Sequence, residues 1–165
     1  MKRLLLILVA PLLFVLAMAA PAYADSPHFV RASGQFSDTN LVVSFKEAGL
    51  GTNQNIDYVL NADATVVYVC VNRGGANPSA QNKTTVSGPV SASGTFSSGK
   101  NGQVTASLTL TPPGPGTFSC PRGQSLEIAQ VIYSDVVLTD TTNNVSISLG
   151  SFDSGCLLPD VRGAC

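Results

Sequence analysis

The sequence predicts an all-β protein, an immunoglobulin-like Greek-key β-sandwich of about 7–9 antiparallel strands held by two disulfides. Three observations carry that expectation. Apolar and polar residues alternate with period two from Asn40 onward, and no window of a dozen residues holds the i, i+3, i+4, i+7 stripe of a helix. Glycine, proline and asparagine turn signals interrupt the alternation at short, fairly even intervals. Charged residues make up only 12% of the chain, so the polar strand faces must be built from Ser and Thr rather than Lys and Glu. A closed barrel is the competing architecture.

The elements follow in order. Leu41, Val43 and Phe45 alternate with Val42, Ser44 and Lys46, which makes a strand that stops at Gly49-Leu50-Gly51. Ile56, Tyr58 and Leu60 point inward in the next run, and Ala62-Asp63 is expected to turn the chain into a third run, Thr65 to Asn72. That run is apolar on both faces. With Cys70 in the core beside Val66 and Tyr68, the residues Val67, Val69 and Val71 need cover from a loop or a partner, which leaves self-association open. Arg73 to Ser79 holds two glycines and an Asn-Pro step and reads as a surface loop.

Weaker strands follow over Thr84 to Ala92 and Gly94 to Ser97, and Lys100-Asn101-Gly102 reads as a hairpin turn. The cleanest strand is Gln103 to Thr111. Val104, Ala106, Leu108 and Leu110 face in, while Thr105, Ser107, Thr109 and Thr111 make a hydroxyl-rich wet face. Pro112-Pro113-Gly114-Pro115-Gly116 ends it. The run Gln124 to Leu138 is too long for one flat strand, and its inward set shifts from Leu126 and Ile128 to Val131 and Tyr133, which places a bulge near Ala129. A last strand carries Val145, Ile147 and Leu149.

Residues 1–24 have the form of a secretory signal peptide. Lys2 and Arg3 precede an apolar run from Leu4 to Ala20, and Ala22-Tyr23-Ala24 offers small residues where signal peptidase cuts. Pro11 breaks the run and a cleavage site ends it, so the expectation is one secreted, extracellular domain over 25–165 with no membrane span in the mature form. Without Lys2 and Arg3 the chain keeps seven basic residues against ten acidic ones, about −3 at neutral pH. Arg31, Lys46, Arg73, Lys83, Lys100, Arg122 and Arg162 are scattered singly, which argues against nucleic acid or a membrane surface as partner.

In an oxidising compartment Cys70, Cys120, Cys156 and Cys165 are expected to pair, and three connectivities are open. Cys156 with Cys165 is favoured, because the short segment between them can curl and tie down a terminus; Cys70 then joins Cys120. No Cys-x-x-Cys pair exists and His28 is the one histidine, so zinc, haem and blue-copper sites fail on residue count and no cofactor is expected.

Four segments, Phe45-Lys46-Glu47-Ala48-Gly49-Leu50-Gly51, Tyr68-Val69-Cys70-Val71-Asn72-Arg73-Gly74-Gly75, Pro78-Ser79-Ala80-Gln81-Asn82-Lys83 and Cys120-Pro121-Arg122-Gly123-Gln124, resemble a group of small exported bacterial proteins. The resemblance implies a bacterial origin and a shared secreted β domain, and it carries no catalytic residue over. In a bacterial protein the sequons at Asn82 and Asn144 are chance surface patterns.

Catalytic constellations are thin. A Ser-His-Asp hydrolase needs a histidine beside a nucleophile, yet His28 reads as an end-of-chain surface residue and no Gly-x-Ser-x-Gly elbow occurs. Asp57, Asp63, Glu127, Asp135, Asp140 and Asp153 are the candidate carboxylates, none paired by spacing. Convergence of Asp135, Asp140 and Asp153 at one end of a sandwich would make a calcium site. A sugar-binding aromatic platform is not expected, because there is no Trp and Tyr58, Tyr68 and Tyr133 fall on inward positions. Pro121-Arg122-Gly123 beside Cys120 has the make-up of a rigid loop that holds an arginine outward, as secreted protease inhibitors do. The expected function is therefore a non-enzymatic extracellular binding or surface-associated module. Its partner would be an extracellular or envelope protein or glycan, met through the loops Arg73 to Lys83 and Pro112 to Gly123. A protease inhibitor using Arg122 is the alternative, and a carboxylate-dependent hydrolase the third.

Overall fold

The computed structural model of the protein describes residues 26–72 and 79–165. The leader expected over 1–24 and residues 73–78 of the expected loop lie outside the described residues. Among the described residues seven antiparallel strands form two sheets with a β-sandwich-like arrangement, and there is no helix. One sheet has three strands, β1 (His28–Ser37), β2 (Asn40–Ala48) and β5 (Gln103–Leu110), in the order β1-β2-β5. The other holds β3 (Asn55–Asn72), β4 (Ala80–Ser97), β6 (Gln124–Asp140) and β7 (Val145–Asp153), in the order β4-β3-β6-β7.

The alternation explains the core. Leu41, Val43 and Phe45 from one sheet meet Ile56, Tyr58, Leu60, Val66, Val131, Tyr133 and Leu138 from the other, all buried. Phe45 and Tyr58 pack tilted to each other with ring centroids 4.7 Å apart, and Phe96 lies edge-on to Phe45. Tyr133 donates from its hydroxyl to Leu110 O at 3.2 Å, and Tyr68 donates to Pro113 O at 2.7 Å, so these two buried rings keep their polar ends paired.

Several expectations need correction. The first strand lies before Asn40, because Phe29, Ala32, Gly34 and Phe36 already face the core. A bulge at Val30, where pairing passes from Phe29 opposite Glu47 to Arg31 opposite Lys46, breaks the alternation there. His28 accordingly opens a strand, although its ring is exposed. Gly34 has to be small: a Cβ there would come within 2.6 Å of the Phe152 ring, which lies across β1 and joins the two sheet edges. Ala62-Asp63 does not turn the chain. Ala62 is buried in phase with Leu60 and Ala64, and the irregularity is absorbed as a bulge against β6 between Asn61 and Asp63. The two weak runs after Thr84 are likewise one strand, β4, whose edge position tolerates Pro89. Lys100-Asn101-Gly102 does turn, with Gly102 at φ 61, but it passes the chain from one sheet to the other rather than closing a hairpin. The bulge at Ala129 is present, where Val67 faces Gln130 and Tyr68 faces Ile128.

The long strands β3, β4 and β6 outrun the short strands opposite. Beyond the sandwich, Val69 and Val71 turn to the outer side, and the chain's own tail covers them with Val67. Leu158, Val161 and Ala164 pack there with Ala80 and Ala129. Ala80 N donates to Arg162 O at 3.0 Å and Leu157 N to Ala129 O at 2.8 Å, so the tail is hydrogen-bonded as well as packed. Cys156–Cys165 closes it, and Cys70–Cys120 ties β3 to the connection before β6. The cover that this run demands is thus supplied in cis.

Candidate functional site

Period two puts every second residue of β1, β2 and β5 on the outer face of the three-stranded sheet. Register aligns them in rows: Arg31, Lys46 and Thr105; then Ser33, Ser44 and Ser107; then Gln35, Val42 and Thr109. A shallow depression of about 500 Å³ runs over Arg31, Ser33, Gln35, Ser44, Thr105 and Ser107. The three strands carry one carboxylate, Glu47, and it faces inward. Among the described residues, none of the polar side chains in these rows makes a hydrogen bond or ion pair within the protein. The face therefore presents two cations and a field of hydroxyls whose hydrogen-bonding capacity is open to whatever lies on it.

Two other depressions have the opposite sign. One of about 490 Å³ over the outer side of the four-stranded sheet is lined by Asn61, Asp63, Pro89, Ser91 and Asp135. One of about 470 Å³ lies against Asp38, Tyr68, Leu126, Glu127 and Leu157.

A second polar cluster is sealed inside the end of the sandwich where β2 stops. Glu47 continues the inward set Leu41, Val43, Phe45, and Asp140 continues Val136, Leu138; both are fully buried. Asp140 accepts bonds from Thr142 N at 2.8 Å, Asn143 N at 2.9 Å and Asn143 Nδ2 at 2.6 Å, which build the turn between β6 and β7. Glu47 has no such set: neither carboxyl oxygen, nor the Tyr58 hydroxyl beside it, has a partner in hydrogen-bond geometry. Burial pushes the Glu47 carboxyl up to about 7, and the neighbouring Asp140 carboxyl pushes the same way, while the Tyr58 hydroxyl and His28 pull it down. Burial likewise raises Tyr58, helped by Glu47. No solvent touches either carboxyl, so the pair is closed to a substrate.

The remaining candidates do not assemble. Asp57, Asp63, Glu127, Asp135 and Asp153 are exposed. Asp135 sits in a bulge of β6 at φ 52, Asp140 at the strand's end, and Asp153 opposite Ile132, so the three acids offered for calcium are strung along β6 rather than gathered at one end. Among the described residues no group of three His, Cys, Asp or Glu could hold a metal ion. Pro121, Arg122 and Gly123 are all exposed, but Gln124 N donates to Pro121 O at 3.2 Å and Gly123 has φ 83, a tight turn rather than the extended loop an inhibitor presents. Of the two contact loops, Ala80 to Lys83 already belongs to β4.

Period two turns Ser44, Lys46, Thr105 and Ser107 outward, but only register sets them beside one another and beside Arg31, and the sequence offers neither Arg31 nor Glu47 as a site residue. The signal for Glu47 was its phase with Phe45. Comparison with protein-family models, with curated proteins and with solved structures finds no match to this chain.

Proposed function

We propose that the protein is a secreted, non-enzymatic binding or surface-associated module built on an immunoglobulin-like Greek-key sandwich, and that it makes contact through the outer face of β1-β2-β5. The strand order β1-β2-β5 against β4-β3-β6-β7, antiparallel throughout, supports the Greek-key reading. The two disulfides are compatible with an extracellular protein. The observation that carries the function is the bare polar face: its side chains leave their hydrogen-bonding capacity unused within the protein, while several on the opposite sheet pair with one another. The test is retention of the protein on a cell-envelope fraction, wild type against Ser44→Trp. Ser44 is exposed at the middle of the face, so an indole there should abolish retention with the fold intact. Equal retention of the two proteins refutes the face as contact surface.

A further inference from the structure

We propose that the face of β1-β2-β5 binds an acidic polysaccharide of uronate type, with Arg31 and Lys46 taking carboxylates and the serine row taking sugar hydroxyls. The assignment rests on that face being the contact surface. Its starting point is charge. Arg31 and Lys46 are direct cross-strand neighbours, and like charges so placed repel. No acid stands among them, in a chain with more acidic than basic residues. Asp57, Asp63, Asp135 and Asp153 lie instead on the four-stranded sheet. Placement of Arg31 is itself a built feature. In unbroken alternation Arg31 would share the inward side of Phe29, and the bulge at Val30 turns it out.

The neighbouring groups fit a sugar. Strands about 4.8 Å apart put Ser33, Ser44 and Ser107 across roughly 10 Å, about the length of a disaccharide. Each hydroxyl both donates and accepts, as does the Gln35 amide in the next row, which matches the mixed demands of sugar hydroxyls. Half-buried Val42 between Gln35 and Thr109 gives an apolar spot for the C–H side of a pyranose ring. The Arg31 guanidinium offers a planar fork suited to a carboxylate. Two cations are too few for a dense polyanion such as nucleic acid or polyphosphate, whose binding draws on many. The ligand with few charges and many hydroxyls is a carboxylated glycan.

The experiment is calorimetric titration of the exported, oxidised protein with oligogalacturonate, its methyl ester and linear polyphosphate, repeated on an Arg31→Gln, Lys46→Gln double variant. Oligogalacturonate should bind, with affinity falling as salt rises, and both the ester and the double variant should weaken binding about tenfold or more, as loss of a charge-assisted hydrogen bond implies. No binding of oligogalacturonate, an unaffected double variant, or tighter binding of polyphosphate overturns the proposal. Equal binding of the methyl ester overturns the acidic specificity. Backbone amide shifts with the best-bound oligomer separate the two levels: shifts on β1, β2 and β5 keep the contact face whatever the ligand's charge, and shifts confined elsewhere overturn both.

Discussion

The two sheets handle their outer faces in opposite ways. On the four-stranded sheet several polar side chains satisfy one another: Thr65 bonds Ser87 and Thr139 bonds Ser146, each at 2.9 Å, Thr95 donates to Asp57 at 2.5 Å, and Gln130 to Asp153 at 2.9 Å. Where that sheet turns apolar, at Val67, Val69 and Val71, the tail covers it. The three-stranded sheet has neither pairing nor cover, and it alone sets two cations side by side. The face whose three polar rows carry no such pairs is the one proposed as the contact surface.

The contrast can be broken from the covered side first. Replacing Cys70 and Cys120 by Ala opens a loop with a sequence separation of 50, and chain entropy puts the expected loss at about 4 kcal/mol. Urea unfolding of the oxidised variant measures it. Replacing Cys156 and Cys165 by Ser releases a separation of 9, with an expected loss of about 2.6 kcal/mol. More tellingly, freeing the tail should bare Val67, Val69 and Val71, so light scattering should show concentration-dependent association that wild type lacks.

Glu47 gives the next effect, on the inner side of the open sheet. Its carboxyl is raised from 4.5 to about 7 in the fold, so the folded state holds the proton more tightly than the unfolded chain does. Stability is therefore full below pH 4.5 and falls as pH rises to about 7. Glu47→Gln should flatten that slope and leave the variant about 2–3 kcal/mol more stable than wild type at pH 8, read from denaturation at pH 5 and 8. A variant less stable than wild type at pH 8 would mean that the charged carboxylate is paired after all. The smallest change belongs to the outer face. The Arg31→Gln, Lys46→Gln double variant should gain a few tenths of a kcal/mol as cross-strand repulsion disappears. A clear loss of stability would assign the two cations a structural role.

Much of this contrast was legible in the sequence, though not its point. The wet alternation of Thr105 and Ser107 and the outward Ser44 and Lys46 follow from period two alone. The demand for cover over Val67, Val69 and Val71 was equally plain, because a run apolar on both faces must be buried on both. What covers it was not legible, since docking of Leu158 and Val161 depends on where the tail returns in space. Arg31 was hidden for a local reason: one bulge residue, Val30, shifts the phase, and the small inward residues Ala32 and Gly34 mute the pattern around it. Cross-strand adjacency of Arg31, Lys46 and Thr105 is a matter of register, which no single strand encodes. Glu47 stood in phase with Phe45, but an acid at a strand end reads as solvated until the opposite sheet is seen to close over it.

The most direct test of the open face is an amide chemical-shift map of the isotope-labelled, oxidised protein titrated with a soluble envelope polysaccharide fraction. Shifts gathered on Arg31, Ser33, Ser44, Lys46, Thr105 and Ser107, and lost in Ser44→Trp, are the expected result. Shifts gathered on the outer side of β3, β4 and β6, or on the Pro121–Gln124 turn, would contradict it.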